Sequence, residues 1–189
     1  MKIIPKYSVS TYNPNSVVEN ERTDFTRRIP SLPKKQLERD SKIVRQIMIA
    51  ADVGTECGGE QRVLDLFFRK AHLLSNPRYW EVMRTVWIVA GSTETAPMFR
   101  RLMKSARPCR SWFMTPEDAA DLDVMEFPLT VWRAYDSEPD PGISWTIDRE
   151  WCEDYARSRG RKVKTRQVVR DDIFAYISRR GESEIIILD

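Results

Sequence analysis

Two carboxylates, Glu182 and Glu184, stand two positions apart just before the apolar run Ile185-Ile186-Ile187-Leu188. In a strand, residues i and i+2 point the same way, so the pair shares a face, and a chain seldom aims two acids at apolar ground without a use for them. Fixed carboxylates suit two tasks, stabilising positive charge in a water-poor site and taking a proton from a nucleophile. Upstream, Val131-Trp132-Arg133-Ala134-Tyr135 sets one arginine among strand formers, and a guanidinium matches phosphate oxygens bidentately where an ammonium does not. Between these lies Gly142-Ile143-Ser144-Trp145-Thr146, where strand alternation turns both hydroxyls to one side and the indole to the other.

These residues need elements to hold them. Asn13-Pro14-Asn15 and Ile29-Pro30-Ser31-Leu32-Pro33 break any regular structure early on, so residues 1–33 read as an extended arm. Residues 34–125 read as a helical region. Leu37, Ile43, Val44, Ile47 and Met48 mark a first amphipathic helix over residues 34–51. Val63, Leu64, Phe67, Phe68, Ala71 and Leu74 mark a second, which starts near Gly59 and ends at Asn76-Pro77. Pro77 suits the first turn of a third, apolar through Trp80, Met83, Val86, Trp87 and Val89 until Gly91. Shorter helices follow over residues 96–105 and, capped by Thr115, over residues 115–121.

After Glu126, β-branched and aromatic residues gather into short runs separated by turn signals such as Pro139-Asp140-Pro141-Gly142. Strands are predicted over residues 127–135, 142–146, 163–169 and 184–188, with a helix over residues 148–159 that Gly160 stops. The predicted fold class is α+β, helices first and sheet second, with residues 126–189 as the catalytic core and the end of the helical region packing on it.

Composition narrows the function classes. The net charge of +3, with 31% charged residues, falls short of a nucleic-acid footprint. No apolar run approaches the roughly 20 residues of a membrane span, nor the length of a signal peptide, so the expected location is the cytoplasm. Cys57, Cys109 and Cys152 are widely spaced and outside any Cys-x-x-Cys pattern, and the single histidine, His72, has no partner motif. A metal site and a histidine-dependent triad are therefore not expected.

Taken in order, the arginine, the Ser-x-Thr and the Glu-x-Glu resemble the Arg–Ser–Glu signature of ADP-ribosyltransferases, in particular the compact family of bacteria and their phages. The resemblance covers about residues 80–189, through Arg133 at a strand end, Gly142 to Thr146, the Tyr155-Ala156 step and the closing Glu-x-Glu. It implies a mixed, mainly antiparallel split sheet and a mono-ADP-ribosyltransferase with NAD as co-substrate. By resemblance Arg133 clamps the pyrophosphate, Ser144 positions the catalytic Glu184 beside the cofactor, and Thr146 supports the nicotinamide pocket, with Trp145, Tyr155 and Tyr176 as candidate stacking partners for the nicotinamide. Glu184 stabilises the oxocarbenium-like sugar and Glu182 activates the acceptor. The acceptor would be a macromolecule, such as a protein arginine, in the host cytoplasm if the chain is phage-encoded. NAD glycohydrolysis and a non-catalytic binding module on the same fold are the alternatives.

Each residue also has a plainer role open to it. Arg133 also suits an ordinary ion pair at a sheet edge, Glu184 a pairing with Arg179 or Arg180, and Glu182 a solvated loop after Gly181. Thr146 can be the N-cap of the helix that follows. Trp145, Tyr155 and Tyr176 can be core. The positive run Arg157, Arg159, Arg161, Lys162, Lys164 and Arg166 suits a solvated face, a phosphate or a nucleic acid.

Overall fold

Apolar residues recur at helical spacing up to about residue 123 and gather in strand-forming runs from 129 onward, and the computed structural model divides in the same way. It describes residues 29, 32–52, 59–179 and 182–189, apart from the side chains of Asp52 and Arg179. Almost all of the predicted arm, the loop with Cys57, and Arg180-Gly181 lie outside the described residues.

The helices α1 (Lys34–Asp52) and α2 (Gly59–Lys70) pack on each other and on α3 (Asn76–Ala90). Phe68, read with the apolar face of α2, is exposed, and His72 is exposed in the short 3-10 turn Ala71–Leu73. Ser75 is the N-cap of α3 with Pro77 in its first turn, and the helix is buried without a break from Tyr79 to Trp87. A helix buried all round is a central one. Its Trp80 is fully buried, yet the indole N–H is satisfied by the Pro108 carbonyl at 2.8 Å. Helices α4 (Ala96–Met103) and α5 (Pro116–Asp123) complete the first half, and α6 (Arg149–Arg159) lies within the second.

The strands are β1 (Leu129–Tyr135), β2 (Ser144–Thr146), β3 (Lys162–Val168), β4 (Ile173–Arg179) and β5 (Glu182–Ile187), in spatial order β3-β1-β2-β5-β4. Every pair among these described strands is antiparallel, in keeping with the expected α+β fold and its mainly antiparallel sheet, with no parallel pair among them. Strand β4 is a correction, because residues 173–179 were not predicted to be a strand. Ile173 to Ile177 are buried in unbroken succession, so the segment lacks the alternation that marks a half-exposed strand. Strand β5 begins at Glu182, opposite Arg179 in register, so Glu182 belongs to the sheet and not to a loop.

Two apolar clusters cover the sheet. Phe174, Ala175, Ile177 and Ile186 join the helical core through Trp80, Val86 and Phe113. Val131, Val168, Ile173, Ile185 and Ile187 form a smaller cluster with Leu122 of α5. Helices and strands thus share the larger of the two clusters.

A buried ion pair fastens the two halves. Arg84 of α3 donates to Asp118 of α5 at 2.8 Å, and the other Asp118 oxygen accepts the Ser178 amide of β4 at 3.0 Å. Asp118 also closes a capping box with Thr115 at the start of α5. Asp118→Ala leaves Arg84 buried without its counter-charge and is expected to cost about 3–5 kcal/mol of stability, with a smaller loss for Asp118→Asn. Urea unfolding midpoints of the three proteins check this, and equal midpoints for the alanine variant and the parent would refute it.

Candidate functional site

The weakest seam of the sheet is where the candidate residues meet. Strands β1 and β3 pair over their whole length, from Leu129 opposite Val168 to Tyr135 opposite Lys162. Strands β1 and β2 share only the pair Trp132 and Thr146. Beyond it the strands part, and the Arg133 guanidinium fills the gap. Its Nε and Nη2 grip both oxygens of Asp140 at 2.6 and 3.1 Å, Nη1 donates to the Ser144 carbonyl at 2.6 Å, and Nη2 also reaches the Thr93 hydroxyl at 3.2 Å.

Gly142 makes room for this arrangement, since a Cβ built there would lie 1.5 Å from Arg133 Nη2. Lys164 of β3 pairs with Asp140 at 3.1 Å and with Glu138 at 3.1 Å, so two cations are balanced by two carboxylates. The Arg133 and Asp140 side chains are 9% and 2% exposed. Withdrawing one partner from such a buried pair costs about 3–5 kcal/mol. Burial by itself would raise the Asp140 pKa, but hydrogen bonds from Arg133 and the Gly142 amide and the Arg133 charge outweigh it and bring the carboxyl down to about 2.

On the far side of β2, register pairs Thr146 with Glu184 and Ser144 with Ile186, and alternation adds Glu182 to the face of Glu184. Glu184 Oε1 accepts the indole N–H of Trp87 at 3.1 Å. Trp87 is 4% exposed at the end of α3, wedged edge-on against Phe99. A Cβ at Gly91 would fall 2.8 Å from its ring, so this glycine lets the indole lie against the chain as the helix ends. A rigid, buried donor of this kind fixes the carboxylate's orientation.

Helix α6 forms another wall. Asp148 is its N-cap, accepting the Trp151 amide, while the Thr146 hydroxyl accepts the Asp148 amide at 3.0 Å. Thr146 therefore braces the approach to the helix instead of capping it. Trp151 and Tyr155, one turn apart, stack with centroids 5.3 Å apart and planes 4° from parallel. Cys152, buried between them in sequence, has its thiol pushed up by burial, partly opposed by the Arg133 charge.

These walls enclose a cavity of about 340 Å³ that is lined by Arg133, Ser144, Trp145, Thr146, Tyr155, Glu182 and Glu184, the seven residues assigned to the site from the sequence. Their parts differ, however. The Trp145 indole lies on the opposite face of the sheet, beneath Lys164 and Arg166 and against the smaller core, so it contributes wall and not a stacking surface. Tyr176 is buried in that same cluster, with its hydroxyl on Ser183 at 3.4 Å, and does not reach the cavity.

Sequence reasoning missed Trp87, Gly91, Thr93, Glu94 and Trp151 as lining residues and Asp140 as the partner of Arg133, and it named Arg161 only as one of the positive run. Trp87 shows in sequence only as one more apolar residue of α3. Asp140-Pro141-Gly142 reads as a turn, and nothing local reveals which charge its carboxylate meets.

The positive run is largely neutralised. Arg157 pairs with Asp154, Arg161 with Asp136, Lys164 with Glu138 and Asp140, and Arg166 with Asp189. Apart from the pair with buried Asp140, these are exposed pairs that contribute about 0–1 kcal/mol each. Among the described residues, no group of three or more His, Cys, Asp or Glu is gathered to hold a metal, and no helix is long and apolar enough to cross a membrane.

No protein family, no curated protein and no solved structure matches the chain. The geometry has to carry the functional reading.

Two variants test the architecture of the seam. Gly142→Ala is expected to expel the Arg133 guanidinium and lower stability by several kcal/mol, on the order of a broken buried ion pair. A parent-like thermal midpoint would contradict it. Asp140 has a depressed folded pKa, so its contribution is complete above the unfolded value near 4 and is lost as pH falls toward 2. Asp140→Asn should therefore be less stable than the parent at pH 7, and the gap should narrow between about pH 4 and 2, by an amount on the order of 2 kcal/mol. Denaturation series across that range would show a constant gap if Asp140 were not the group responsible.

Proposed function

We propose that this protein is an NAD-dependent mono-ADP-ribosyltransferase acting on a macromolecular acceptor. The observation that carries the reading is the gathering of Arg133, Ser144, Thr146, Tyr155, Glu182 and Glu184 around one cavity from four separate elements, with Glu184 held by a buried indole donor. A volume of about 340 Å³ lies at the lower end of small-molecule sites and suits a nicotinamide nucleoside, with the rest of the dinucleotide along the rim.

In this reading Glu184 faces the ribose carbon that bears nicotinamide. As the carbon–nitrogen bond breaks, its electron pair leaves with the ring, and the carboxylate stabilises the positive charge that develops on the sugar. Trp87 holds that carboxylate in place. Glu182, two residues earlier on the same face, takes the proton of the acceptor nucleophile as that atom bonds to the sugar carbon. Arg133 frames the cavity wall, and the exposed ring of Trp151 with Tyr155 offers a flat apolar surface to a base. The free thiols of Cys109 and Cys152 suit a reducing cytoplasm. Arg157, Arg161, Lys164 and Arg166 of the basic run are paired with carboxylates, which weakens the case for nucleic-acid binding as the main role.

Incubation with labelled NAD and a cell lysate tests the proposal. The parent is expected to transfer label to a macromolecule, and Glu184→Gln to lower the rate by about a hundred- to a thousandfold with the fold retained by circular dichroism. Free ADP-ribose without a labelled macromolecule would replace transfer with hydrolysis. NAD consumption at the parent's rate by the Gln variant would sink the mechanism.

A further inference from the structure

Two arginines line the cavity, and they differ in what binds them. Arg133 is enclosed and held on three sides, by Asp140, the Ser144 carbonyl and Thr93. Its charge is cancelled within the Arg133–Lys164–Asp140–Glu138 group. Turning it toward a phosphate would strip Asp140 of its main counter-ion inside the protein, which costs more than a phosphate hydrogen bond returns.

Arg161 is placed differently. Gly160, in the left-handed conformation at φ 64°, ends α6, and the Arg161 amide bonds back to the Ala156 carbonyl at 2.8 Å, so its backbone is fixed at the head of β3. The guanidinium reaches the cavity with Nη1 on the Tyr155 hydroxyl at 3.2 Å and its carbon 5.7 Å from that ring's centroid. Nε and Nη2 engage the two oxygens of Asp136 at 3.0 Å each. Asp136 is 67% exposed, so this is a pair that water and salt already weaken. The fork that grips a carboxylate bidentately fits two phosphate oxygens equally well. Glu94 also lines the cavity, its carboxyl held low by the Ser92 hydroxyl and its own backbone amide, with a weaker pull from Arg161.

We propose that Arg161, and not Arg133, receives the phosphate of the nucleotide, exchanging exposed Asp136 for it while Tyr155 keeps the guanidinium aimed. The proposal rests on the NAD reading of this cavity. It assigns the two cations separate tasks: Arg133 props the seam open and Arg161 binds.

Calorimetric titration of the whole chain with NAD and, separately, with nicotinamide tests this for the parent, Arg161→Ala, Arg161→Lys and Asp136→Asn. Arg161→Ala is expected to weaken NAD by about ten- to a hundredfold and leave nicotinamide unchanged, with Lys recovering part of the loss. Asp136→Asn, which removes the competitor, is expected to tighten NAD by about two- to fivefold. NAD affinity unchanged in Arg161→Ala, or an equal loss for nicotinamide, would overturn the proposal alone. Absence of NAD binding by the parent would overturn the NAD reading itself, so the two failures are distinguishable.

Discussion

The site depends on one buried ion pair, Arg133 with Asp140. A central strand of three residues that shares a single pair with β1 is a poor joint for a sheet, because each missing ladder bond leaves backbone groups to be satisfied elsewhere. The guanidinium supplies what the ladder lacks: it takes the Ser144 carbonyl directly and, through Asp140, the Gly142 amide. One side chain thus stands in for a length of strand. It can do so because Gly142 has no Cβ, and because Lys164 and Glu138 complete the charge balance around it.

The helical half is part of the same device. Trp87 and Gly91 end α3 where the indole N–H meets Glu184, and Thr93 in the following loop reaches Arg133. Through that bond α3 orients a carboxylate carried by the sheet. The core running from Trp80 and Val86 through Phe174 and Ile186 keeps α3 in register with β5, so the carboxylate and its donor are positioned by the same packing that stabilises the fold. Asp118, shared by α3, α5 and β4, ties that packing to the sheet's far edge.

What was legible in the sequence was the part that local chemistry determines. Helix periods, the Thr115 cap, Gly160 as the stop of α6 and the strand character of residues 129–135 are all statements about neighbours in the chain. Strand β4 escaped because a strand buried on both faces has no alternation to read, and the closing strand reads as starting at Glu184, two residues late, because Gly181 looks like a turn. Arg133 and Glu184 were visible as unusual residues in apolar company. Their partners were not: Asp140 hides in a turn, Trp87 in an apolar helix 97 positions from Glu184, and long-range pairing leaves no local trace. The Trp145 indole shows the converse limit, since alternation put it on the side away from the hydroxyls, but only cross-strand register reveals that this side is closed by Lys164 and Arg166.

A buried ion pair is weak evidence of stabilisation, because apolar residues of the same volume often hold two elements together as well or better. At this seam, however, an apolar pair would draw β1 and the segment before β2 into contact and close the space between them. A guanidinium clasped by a carboxylate has a fixed width and satisfies polar backbone groups on one side while lining a cavity on the other. Its rigidity also sets its limit. A cation so completely engaged is suited to keeping a cavity open, and on the proposal made for Arg161 ligand exchange would pass to a cation whose partner is already in water.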